Sequence, residues 1–209
     1  GYFFARPGDL LSAAWAVVGP GLLFVTASLL EWLASRRRPA RWRARGGPRP
    51  LCYRGAMLTV IGEALVDVVS RSGEQPRAHV GGSPMNVAVG LARLGHQVQF
   101  LGRYGQDEYG HQVVEHLRGN GVRLPFEADD RPTSVAQAVL DENGAADYDF
   151  QLDWSLDVSP VRIDELLADT DLLHVGSIGA MLEPGASVVR QALERAHRHA
   201  LISYDPNCR

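Results

Sequence analysis

Residues 81–95 read GGSPMNVAVGLARLG, and the fold class turns on this stretch. Paired glycines let the backbone turn sharply and pass close to another group. Ser83 suits the N-cap of a helix and Pro84 its first position. Val87, Leu91 and Leu94 recur on one helical face, and Gly95 closes the element. A helix that starts this way presents free N–H groups at its N-terminus. Asn86, in the first turn, offers a donor and an acceptor to a ligand hydroxyl. The same spacing also suits a plain tight turn before a capped helix.

On either side of this helix the pattern alternates. Upstream, residues 58–61 (LTVI) form a β-branched run ending at Gly62, the mark of a buried strand, and 64–69 read as a second strand. Downstream, 98–101 predict a strand, 107–117 a helix ended by Gly119-Asn120-Gly121, and 133–140 a strand. Asp141-Glu142-Asn143-Gly144 predicts a hairpin turn, with 147–152 returning and Tyr148, Phe150 and Leu152 on one face. Residues 161–167 predict a short helix, 172–175 a strand, 184–197 a helix and 201–204 a strand. Strands alternating with helices predict an α/β fold: a mainly parallel sheet with flanking helices. The 133–152 hairpin breaks that rhythm and predicts a small separate β lid.

Several polar residues stand where a ligand would be met. Asp67 sits within or just after an apolar stretch, where a carboxylate needs a partner. It can accept hydrogen bonds from two adjacent hydroxyls, or be an exposed residue at a strand end. Residues 102–110 (GRYGQDEYG) follow a strand and open a helix; Arg103 is a candidate there, and Asp107 suits a helix N-cap. Asp205, Asn207 and Arg209 directly follow a strand, where ligands of open α/β sheets bind. They can orient a phosphate, with Arg209 supplying a fork of donors, or form an Asx-Pro turn.

Other chemistries are excluded by what is missing. All 21 Lys+Arg residues are arginine, so there is no phosphate-binding loop of the Gly-x-x-x-x-Gly-Lys type and no lysine nucleophile. No Gly-x-Ser-x-Gly elbow is present. His197 and His199 are two apart in a predicted helix and point in different directions. Cys52 and Cys208 lack metal-ligand spacing, so no metal site is expected and both read as free thiols in a reducing compartment. A formal net charge of −3 gives no sign of a nucleic-acid partner.

That net charge hides an asymmetry. Basic residues before Met57 far outnumber Asp9 and Glu31, and the remainder is acidic. Residues 10–33 are long and mostly apolar, enough to cross a bilayer, and the arginines that follow would hold that end on the cytoplasmic side. Residues 39–50 are rich in Arg, Gly and Pro and predict disorder. Residues 1–56 therefore read either as a membrane segment with a basic tail or as sequence misjoined upstream of a start at Met57. Residues 57–209 read as a separate domain in the cytoplasm, membrane-associated only if the first segment is genuine.

Taken together, GEALVDV (62–68), GGSPMNVAVGLARLG, GRYGQDEYG, TSVAQAVLDENG (133–144) and SYDPNCR (203–209) resemble the ribokinase/PfkB carbohydrate kinases, in the family's order and spacing. The GEAL opening and DPN-x-R ending look most like fructokinases and 2-keto-3-deoxygluconate kinases. The resemblance implies a ribokinase-like fold, incomplete at the C-terminal side. It implies transfer of phosphate from ATP, with Mg2+, to a sugar hydroxyl, fructose or 2-keto-3-deoxygluconate being the expected substrates. Asp67, Gly81, Gly82 and Asn86 match sugar-holding positions. Arg103, Gln137 and Phe150 are further candidates for substrate contact, and Asp205, Asn207 and Arg209 match a motif near the transferred phosphate. The lid implies a homodimer. The family's catalytic Asp lies in a Gly-Ala-Gly-Asp sequence that is absent here, as is its Asn-x-x-Glu stretch. The chain alone is therefore expected to be inactive, the alternative being a non-catalytic sugar-binding or dimerisation module.

Overall fold

A computed structural model of the chain describes residues 55–71, 75–140 and 146–207. The apolar stretch 10–33, its basic tail, both cysteines, the Asn143-Gly144 turn and Arg209 lie outside the described residues. Strand β1 (Met57–Ile61) has Leu58, Thr59, Val60 and Ile61 all buried, as expected of a central strand covered on both faces. It pairs in parallel with β4 (Gln97–Leu101) on one side and β7 (Thr170–Gly176) on the other. Strand β8 (Leu201–Asp205) extends the sheet in parallel beyond β7, giving the order β4-β1-β7-β8.

Helices cover this sheet. Helix α1 (Ser83–Arg93) lies against β1, β4 and β7. Helices α3 (Pro160–Leu167) and α4 (Gly185–Ala196) pack on each other, and their Leu166, Leu167, Val189, Ala192 and Ala196 form one core with Ile61, Leu101, Leu173 and Val175. Alternation along each strand sends Leu58, Val60 and Phe100 to the opposite face, all buried. A polar bridge runs through the α3 side: Gln99 Nε2 donates to Thr59 Oγ1 at 2.8 Å and to the Leu166 carbonyl at 2.7 Å. Helix α2 (Glu108–Gly119) is capped by Asp107, whose side chain accepts from the Gly110 N–H at 2.8 Å.

The expected β-layer is larger than a hairpin. A second sheet, in the order β3-β2-β5-β6, joins β2 (Leu65–Arg71), β3 (Arg77–Gly81), β5 (Val135–Leu140) and β6 (Ala146–Gln151). Only the β2–β5 pairing is parallel. Strand β3 is absent from the sequence reading, since a short RAHVG with an exposed first residue carries no apolar run. The start of α1 also differs by one position. Gly82 is the N-cap, and Ser83 is the first helical residue with no capping side-chain bond. The glycine holds that position because its φ of 110° is one that serine avoids.

Candidate functional site

Because the first sheet is parallel, the ends of β1, β4, β7 and β8 open on one edge, where α/β folds bind ligands. Three of these ends are joined by short-range bonds. Glu63, just after β1, is buried and its Oε2 accepts from the Gly179 N–H at 2.8 Å. Burial pushes the Glu63 carboxyl up, and the N–H groups around it oppose that only in part. Ser177, after β7, donates its N–H to the Asp205 carbonyl at 2.8 Å. Glu63 was not among the sequence candidates; an acidic residue directly after a buried strand and a glycine was the available signal.

Helix α1 is delivered to this edge by close backbone contact. A Cβ on Gly82 would stand 2.7 Å from the Glu63 carbonyl oxygen, so only a glycine permits the approach. Asn86 follows in the first turn, half-buried, its N–H on the Gly82 carbonyl at 2.9 Å. Asp67 comes alongside from the second sheet. A Cβ on Gly81 would lie 2.3 Å from Asp67 Oδ2, which places the carboxylate directly over the first glycine of the pair. The structure thus brings Asp67 to the Gly81-Gly82 pair, from which it is separate in sequence.

The second sheet separates two other candidates. His79, Asp67, Ala136 and Phe150 lie opposite one another across four strands and so share a face. Gln137 lies opposite Val68 and Asp149, on the reverse face. Phe150, half-exposed, is therefore on the Asp67 side and Gln137 is not.

Arg103, after β4, has partners within the protein. Its Nε and Nη2 form a fork on Asp129 at 3.0 and 2.7 Å, and Nη1 reaches the carbonyls of Pro132 at 2.7 Å and Asp153 at 3.4 Å. Asp107 adds a second tie, accepting from Thr133 N at 2.8 Å and Thr133 Oγ1 at 2.6 Å.

At the end of β8, Asp205 Oδ1 accepts from the Asn207 N–H at 2.9 Å, the Asx turn that the sequence allowed. Asn207 has a φ of 47° and reaches Ser177 Oγ at 3.4 Å. Beside it, His174 is fully buried in β7, its Nδ1 3.0 Å from Ser203 Oγ. Burial holds the imidazole at about 4, and Asp205 offsets this only partly. His174 Nε2 and Asp205 Oδ2 are buried without a hydrogen bond among the described residues.

No group of three or more metal-ligating side chains occurs among the described residues. Nor is any helix among them long and apolar enough to cross a membrane.

Comparison with known proteins gives one family. The sequence profile of the pfkB family carbohydrate kinases matches residues 56–209. The chain is 34% identical over 169 residues to probable fructokinase-4 of Arabidopsis thaliana, covering 74% of this chain and 51% of that protein. To fructokinase-2 of Solanum lycopersicum it is 32% identical over 167 residues, covering 73% and 51%. Fructokinase from Xylella fastidiosa superposes with a TM-score of 0.63 at 28% identity, over 73% of this chain and 51% of that one. A structure of that enzyme with bound ATP gives 0.64 at 27% identity, over 73% and 52%. The chain spans about half the length of the curated relatives it matches. With the fold, the glycine turn and the profile in agreement, this chain belongs to the pfkB family of carbohydrate kinases.

Proposed function

We propose that this chain forms the sugar-side half of a fructokinase-like site and that a whole protein containing it transfers phosphate from ATP to a ketose hydroxyl. One observation carries the reading: the Asp67 carboxylate stands over Gly81, beside the Gly82 turn that starts α1. A carboxylate accepts from two vicinal hydroxyls at once, and an amide at the helix start both donates and accepts. Asp67, Gly82 and Asn86 hold the sugar, with Phe150 covering it from the same face of the second sheet. Asp205 and Asn207 lie at the phosphate side, with Arg209. Fructose is the favoured sugar because the named relatives are fructokinases.

Phosphoryl transfer depends on positioning and charge stabilisation. This sequence contains no Gly-Ala-Gly-Asp stretch to supply the base that the family resemblance implies. The chain alone is therefore expected to bind fructose and release no ADP. Calorimetric titration with fructose and a coupled ADP assay on the purified chain test both parts. Absence of fructose binding refutes the sugar site, and steady ADP release that depends on fructose refutes the inactivity.

A further inference from the structure

We infer that Arg103 is a positioning residue that anchors both ends of the β5–β6 pair. Its guanidinium holds the Pro132 carbonyl, just before β5, and the Asp153 carbonyl, just after β6. Its other two bonds grip Asp129 in a fork, which fixes the plane of the group. Four of the five donors of an arginine are thus committed to protein oxygens, and the side chain is 3% exposed. A ligand contact would have little left to use.

Neighbouring bonds work in the same direction. Ser134 Oγ and Asp153 exchange two bonds at 3.1 Å, tying entry strand to exit strand. Arg131 backs Asp129 from the other side, its Nε on Oδ2 at 3.1 Å, and reaches Asp153 Oδ1 at 3.4 Å. Gln106 N on the Asp129 carbonyl at 2.7 Å joins this cluster to the loop after β4. The result is a clasp between the first sheet and the two points where the chain enters and leaves β5–β6. Strand register sets where Phe150 stands relative to Asp67, and the clasp ties the second sheet to the loop after β4. Only the sugar-affinity readout below rests on the proposed function.

Hydrogen exchange of the whole chain tests the clasp without any ligand. In Arg103→Met, and in Arg103→Lys should the first variant not fold, the amides of Val135–Leu140 and Ala146–Gln151 should exchange roughly tenfold faster or more. Lysine keeps the charge but lacks the fork. Asp129→Asn should match that effect, the double variant should add little to it, and β1 and β4 should be unchanged. Unaltered exchange of β5–β6, or additive effects, overturns the proposal. Fructose affinity should fall by a similar factor in Arg103→Met and Asp129→Asn; a fall in Arg103→Met alone makes Arg103 a direct ligand and also overturns it. If the unaltered chain does not bind fructose, the proposed function fails, and exchange still decides the clasp.

Discussion

Lowering the pH from about 7.5 to about 5 should destabilise this domain through one buried imidazole by roughly 2 kcal/mol. His174 lies in β7 between β1 and β8, 2% exposed, with Ser203 Oγ as its hydrogen-bond partner. Burial holds it at about 4, against 6.5 for the free side chain. Between those values the unfolded chain binds a proton at this site and the folded chain does not, so falling pH favours unfolding. The contribution is fully present above about 6.5 and is lost as pH falls towards about 4. The whole gap corresponds to about 3 kcal/mol, of which about 2 are lost by pH 5. Glu63 works the other way. Its carboxyl is pushed up, so the folded chain holds that proton more tightly just above 4.5 and gains stability there as pH falls. Urea unfolding followed by circular dichroism, on the protein as it stands and on His174→Phe, removes the Glu63 contribution by difference. The variant should lose about 2 kcal/mol of the pH dependence over this range, whatever its stability at pH 7.5. Equal slopes in the two proteins would show that His174 titrates normally, and the argument from burial would be wrong.

Two substitutions test the glycine turn and the carboxylate above it. Gly82→Ala forces a Cβ to 2.7 Å from the Glu63 carbonyl at a φ of 110°, and should cost about 2–4 kcal/mol in urea unfolding. A loss under about 0.5 kcal/mol would show that the turn relaxes freely. Asp67→Asn, which keeps the shape and removes the charge, should weaken fructose binding by roughly tenfold or more. Unchanged affinity in that variant would remove Asp67 from the site.

Much of the first sheet was legible because its signals are local. The run LTVI is apolar on both faces, so it reads as buried wherever it lies. Asp107 caps α2 as its position ahead of the helix suggested, since a cap needs only the next three residues. Strand β3 was missed because its partners, rather than its own residues, make it a strand. Pairing β3 with β2 and then β2 with β5 turned a hairpin-sized lid into a four-stranded layer.

The candidate site divides along the same line. The sequence by itself determined the family and the glycine turn before α1, because these depend on short stretches and their order. Only the tertiary structure decided that Asp67 stands over Gly81, that Gln137 and Phe150 lie on opposite faces, and that Arg103 grips Asp129, Pro132 and Asp153. Those facts come from strand register and from bonds between residues up to 50 positions apart. A side chain's role follows from what the folded chain places within hydrogen-bond reach of it, and that is set by pairings no local pattern contains.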